Sequence, residues 1–125
     1  MSGRVPRDIL CNMISVIQQS LSVFHLSNTQ NQASSHNMAN ISTGFSQQRA
    51  RGVEARTGGV RTQVGTVELS ASERQIADRL PGAQNNVSLV NETVAQIAAV
   101  RSFQANASVV RGQDRLVQSL LDVTG

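Results

Sequence analysis

A chain of 125 residues is long enough for one domain with a limited core. Hydrophobic residues make up 39% of it but aromatics only 2%, with three Phe, no Trp and no Tyr, so the bulky anchors of a compact core are nearly missing. The net charge of +3 is carried entirely by Arg, since the chain has no Lys, and so small an excess argues against a phosphate-binding surface.

The N-terminus carries Arg4 and Arg7, but the apolar residues that follow are interrupted by Asn12, Ser15, Gln18, Gln19 and Ser20. No continuous hydrophobic region forms, so a cleaved signal peptide is not expected. No run of apolar residues reaches the length of an ordinary membrane span. Cys11 stands alone, which rules out an intrachain disulfide and a Cys-based metal site; on its apolar stretch it reads as a buried structural thiol.

Residues 8–40 carry a helical pattern, with Ile9, Leu10, Met13, Ile14, Ile17, Leu21, Phe24 and Met38 on one side and Asp8 as the expected N-cap. From Leu26 to Met38 the same side turns polar through Asn28, Asn31 and Ser35. Those groups need partners that satisfy them.

Residues 44–84 hold Gly44, Gly52, Gly58, Gly59, Gly65 and Gly82, with Val60, Thr62, Val64 and Thr66 in alternation. The alternation around Gly58-Gly59 predicts a β-hairpin with a tight turn. Ser70 to Leu80 reads as a short helix ended by Pro81-Gly82. A lone hairpin is marginal in water, so this middle is expected to be mobile unless a neighbour covers it. Arg49, Arg51, Arg56 and Arg61 lie here without aromatic stacking partners, which reads as a solvated segment and not a nucleic-acid site.

Residues 87–123 are the clearest helical pattern. One stripe takes in Val87, Val90, Val94, Ile97, Ala98, Ala105, Val109, Leu116, Leu120 and Val123; a second lies beside it through Leu89, Val100, Phe103, Val110, Val117 and Leu121. The N-terminal helix covers one stripe in an antiparallel pair and cannot cover both. The band left over implies self-assembly or docking into a larger helical array.

Two ordered segments near opposite ends resemble the bacterial flagellar basal-body rod family, axial proteins that share their terminal segments with the hook. The first is an Asn-x-Ala-Asn segment followed by Thr and a Gly-Phe pair: Asn37, Ala39, Asn40, Thr43, Gly44 and Phe45. The second begins at Asn86-Val87-Ser88-Leu89-Val90-Asn91-Glu92, continues through Arg101-Ser102-Phe103-Gln104-Ala105-Asn106 and Val110-Arg111, and closes at Leu120-Leu121. The resemblance spans residues 8–48 and 85–123, about two thirds of the chain. In one departure, the residue usual between Thr and Gly is absent, giving Thr43-Gly44 directly.

The resemblance implies a mainly α fold of one axial domain over residues 1–125: an N-terminal helix and turn (8–45), a Gly-rich middle forming a β-hairpin (46–84) and a C-terminal helix (85–123) paired with the first as an antiparallel, coiled-coil-like hairpin. It implies a structural subunit, similar to the small proximal-rod components, that assembles with copies of itself and other rod subunits into a torque-carrying tube around the export channel. Type III export without a cleaved signal, a basal-body location, contacts with inner-membrane-ring and export-gate proteins and no integral membrane segment go with it. Asn37, Asn40 and Asn106 then read either as caps or as hydrogen-bonding groups between subunits. A non-polymerising adaptor or junction protein on the rod or export gate is the alternative.

Nothing points to catalysis or a cofactor. His25 and His36 have no carboxylate or Cys at ligand spacing, no nucleophile elbow is present, and no Gly-Lys-Ser/Thr follows Gly58-Gly59.

Overall fold

The computed structural model describes residues 7–43, 46–80 and 86–124. Two long helices, α1 (Arg7–Ala39) and α3 (Leu89–Thr124), flank a hairpin of β1 (Gln47–Glu54) and β2 (Val60–Val67) and a short helix α2 (Ala71–Ala77). No Gly or Pro interrupts α1, which ends in a turn where the Asn40 N–H reaches the His36 and Asn37 carbonyls. Asp8 lies in its first helical turn and not at the N-cap. α3 begins two residues later than the apolar stripe suggests. Ser88 precedes it, and its carbonyl accepts the Glu92 N–H at 2.9 Å, so Asn86 and Val87 belong to the entering segment.

Contacts between the long helices run in opposite senses along the chain. Ser34 bonds to Glu92, Ser35 to Gln96, the Phe24 ring stacks on Phe103 with centroids 4.5 Å apart, and Asn106 reaches Ser20. Among the sheltered positions of α1, one series runs through Ile9, Met13, Val16, Ser20, Val23, Ser27, Gln30, Ser34 and Asn37, while Ser22 and Leu26, also sheltered, face the hairpin. On α3, apart from Phe103, which is turned to Phe24, they are Glu92, Gln96, Ala99, Asn106, Val110, Gln113, Val117 and Leu120. With Phe103 included, both series alternate steps of four and three residues, the spacing of a helix-to-helix seam.

On α1 this seam shares only Ile9 and Met13 with the apolar stripe read from the sequence. Leu10, Ile14, Ile17 and Leu21 on α1 are exposed, and so are Val90, Val94, Ile97, Val109, Leu116 and Val123 on α3, with Val90 at 71%. Of the two α3 stripes, the seam takes Leu120 from the first and Phe103, Val110 and Val117 from the second. A hydrophobic projection selects the most apolar face, whereas here polar side chains that find partners and small ones that let the helices approach share the face with Ile9, Met13, Val16, Val23, Phe103, Val110, Val117 and Leu120. The buried apolar residues among those described are all alanines: Ala33, Ala50, Ala77 and Ala99. The Ser27 hydroxyl is buried with no hydrogen-bond partner, so that position uses the small size of serine and not its polarity. Cys11, expected inside, is exposed.

An uninterrupted-run criterion finds no membrane span, but averaging over Asn12, Gln18 and Gln19 does: α1 is long and apolar enough by length and composition, with a window of mean hydropathy 1.4. A single such helix near the N-terminus is a signature shared by core helices and signal sequences, and it assigns no membrane on its own.

The hairpin forms as the alternation predicts. Its strands are joined by Ala55 to Gly59, closed by Ala55 N–H to the Gly59 carbonyl (3.1 Å) and Gly58 N–H to the Ala55 carbonyl (2.9 Å). Gly58 and Gly59 have φ of 87° and 81°, a region L side chains rarely adopt, and they form the end of this connection, not a two-residue turn. α1 covers the hairpin: its Ser22 hydroxyl accepts the Val60 N–H at 2.9 Å, Leu26 lies against Gly52, and His25 Nδ1 is 3.3 Å from Thr62 Oγ1. α2 starts with a capping box between Ser70 and Glu73. Its expected stop at Pro81-Gly82 lies outside the described residues; the helix itself ends at Ala77, with Asp78 as its cap.

Candidate functional site

The most buried polar group in the fold ties together three elements that are distant in sequence. Asn37, in the last turn of α1, is 1% exposed. Its Nδ2 donates to the Gln48 carbonyl (2.7 Å) and to Glu92 Oε1 (3.0 Å), while its Oδ1 accepts the Gln48 N–H (2.7 Å). The side-chain amide thereby pairs with both backbone groups of Gln48 as a neighbouring strand does, closing the outer edge of β1 at that point.

Glu92 lies in the first turn of α3, where the helix dipole favours a negative charge. It is 3% exposed; Oε1 accepts from the Gln47 side-chain amide (2.5 Å) as well as from Asn37, and its backbone carbonyl accepts from the Ser34 hydroxyl (2.8 Å). A buried carboxyl group needs hydrogen-bond partners, and two neutral amides supply them to Oε1 here. Beside it opens a pocket of about 300 Å³ that Arg49 also lines.

Asn86 performs the same service for the open end of the hairpin. Its Oδ1 accepts the Gln47 N–H (2.9 Å) and its Nδ2 donates to the Val67 carbonyl (2.6 Å), bridging the last residue pair of the ladder. Further along the seam, Asn106 Nδ2 donates to the Ser20 carbonyl at 2.6 Å.

Of the residues singled out from the sequence, Asn37, Asn86 and Glu92 therefore meet in or beside one network. Asn40 and Thr43 stay local: the Asn40 amide bonds to the His36 carbonyl (2.8 Å) and the Thr43 hydroxyl to that of Asn40 (2.9 Å), while Ala39 is exposed at the helix end. Gly44 and Phe45 lie outside the described residues. Val87 is half-buried in the segment entering α3, Leu89, Val90, Gln104, Ala105 and Leu121 are exposed along it, Leu120 is half-buried on the seam, and Phe103 meets Phe24. Ser20, Ser34, Gln47 and Gln48 carry the partner side of the network. Of these, only Ser34 had a signal, the polar half of α1 with its need for hydrogen bonds; Ser20, Gln47 and Gln48 had none. Among the described residues no group of three or more His, Cys, Asp or Glu comes together as a metal site.

A pair of long helices joined along a mixed seam, with further apolar residues turned outward, defines a helical building block with surface left for association. Residues 83–123 match the family model described as the flagellar basal body rod FlgEFG protein C-terminal. The matched span is about a third of the chain and takes in Asn86, Glu92, Phe103 and Asn106. No individual curated protein matches the chain. The match over this span supports a structural role associated with the basal-body rod.

Proposed function

We propose that the chain is a structural subunit of the flagellar basal-body rod that assembles with copies of itself and other axial proteins into a helical tube around the export channel. The observation that carries this is the apolar surface left over: α1 and α3 share a mixed seam of apolar, small and polar residues and still turn Ile14, Ile17, Leu21, Val94, Ile97 and Leu116 to solvent. Repeated heterologous contacts through such a face build a filament. On this reading α1 and α3 are an antiparallel, coiled-coil-like hairpin, residues 1–125 act as one axial domain, and the subunit reaches the rod by type III export without a cleaved signal. The polar network of Asn37, Asn86 and Glu92 holds the hairpin against the helices so that the outward faces keep a fixed geometry.

Ile97→Asp with Leu116→Asp tests it. Sedimentation of the parent chain should show association rising with concentration and lost in the variant, while circular dichroism shows equal helix content in both. Cryo-electron microscopy of basal bodies should then show the rod missing or shortened with the variant. A parent that stays monomeric at all concentrations, or normal rods built from the variant, would overturn the assignment.

A further inference from the structure

The hairpin has one edge closed and one edge open. In an antiparallel ladder alternate residues point their backbone N–H and C=O groups out of the ladder. The Ala55 to Gly59 bond fixes the phase: even-numbered residues point outward, as Gln48 does toward Asn37 and Val60 toward Ser22. On β2 the outward groups beyond Val60 belong to Thr62, Val64 and Thr66. Among the described residues no hydrogen bond reaches the backbone groups of Val64 or Thr66 from another element, and neither α2 nor α3 packs on β2. Natural edges are usually blunted by Lys, Pro, inward charge or a bulge. The stretch Thr62-Gln63-Val64-Gly65-Thr66 has none of these, and Val64 is exposed.

The face beside this edge is strongly basic. Arg49, Arg51 and Arg61 share the solvent side of the sheet with Val53, Gln63 and Gly65, and no carboxylate lies among them. Arg49 is paired across the ladder with Gly65, whose missing side chain leaves an open depression of about 250 Å³ lined by Arg49, Arg51, Gln63 and Thr66. A Cβ added at Gly65 meets nothing within 4 Å, so folding sterics do not require glycine there.

We propose that the β2 edge from Thr62 to Thr66 receives an extended strand of a different protein, one carrying acidic side chains on alternate positions, with a carboxylate held over Gly65 by Arg49 and Arg51. Backbone pairing supplies the ladder and the guanidiniums supply the selection, since Arg binds carboxylates through paired N–H donors. A second copy offers the wrong chemistry: edge-to-edge pairing of two β2 strands sets one arginine face beside another. The proposal concerns the hairpin and does not depend on the outward faces of the helices or on rod assembly.

The experiment uses the full chain and short fluorescent peptides that alternate Thr with Glu, Thr with Lys, or Thr with Glu with a central Pro. The Glu peptide should bind about tenfold or more tightly than the Lys and Pro peptides, weakening with salt. Amide exchange at Val64 and Thr66 should slow on binding. Gly65→Leu, and Arg49→Gln with Arg51→Gln, should each weaken binding about fivefold or more with the melting temperature unchanged. Equal binding of Glu and Lys peptides, binding that leaves the Val64 and Thr66 amides unprotected, or self-association through β2 that persists in place of peptide binding would each overturn it.

Discussion

Replacing Asn37 by Leu keeps the side-chain volume roughly and removes three hydrogen bonds, leaving both backbone groups of Gln48 and the Glu92 carboxylate short of partners in a buried place. A buried polar group left unmade costs about 1–3 kcal/mol, so Asn37→Leu should destabilise the fold by about 3 kcal/mol in urea titration. An effect near zero would mean that the hairpin is not held by this amide. Asn37 and Asn86 were visible in the sequence because the two terminal signatures contain them. Gln47 and Gln48, their partners, lie in a strand with nothing to distinguish them, since a backbone group that pairs with a side chain leaves no mark on residue identity. Within the chain, the Asn37 amide bonds to Gln48 and Glu92, and Asn106 Nδ2 donates to the Ser20 carbonyl.

Among the elements, the hairpin depends on close approach. A Cβ at Gly52 falls 2.5 Å from Val60 Cγ1 and 2.7 Å from Leu26 Cδ2, where Val60 is stiff at χ1. Gly52→Ala should therefore cost about 1–3 kcal/mol, measured by thermal unfolding, with the hairpin loosened from α1. The short helix α2 is pH-sensitive at its cap. The Ser70 hydroxyl and backbone N–H hold the Glu73 carboxyl below the ordinary carboxylate range. A lowered native pKa means the cap contributes at neutral pH and loses that contribution as pH falls through the carboxylate range. Amide resonances of Ser70 and Glu73 should move together on acidification, and Glu73→Gln should flatten that response. The short helix and hairpin were legible because their signals are local: a helical stretch from Ser70 to Leu80 running into Pro81-Gly82, and alternation broken by two glycines. The seam between α1 and α3 was not, because its positions mix Ser, Asn, Gln, Glu and Ala with Val, Ile, Met, Leu and Phe.

For the whole molecule, two adjacent residues of the apolar stripe on α1 part ways, one on the seam and one facing solvent. Met13 is half-buried beside Leu116 and Leu120, whereas Ile14 is exposed. Met13→Asp should cost about 2–5 kcal/mol by burying a charge against apolar neighbours, and Ile14→Asp should stay within about 0.5 kcal/mol of the parent. Equal losses in urea titration would return Ile14 to the core.

The sequence by itself determined the element types, the hairpin, the small core and the excess of apolar surface over what one chain can cover, because these follow from local periodicity, turn residues and composition. It also carried the terminal signatures, and the rod-family match over residues 83–123 agrees with the C-terminal one. Only the tertiary structure decided which face of each helix meets the other. That choice rests on polar atoms finding partners across long sequence separations, Ser34 with Glu92 and Ser20 with Asn106, and hydrophobicity along a single helix contains no record of such pairs.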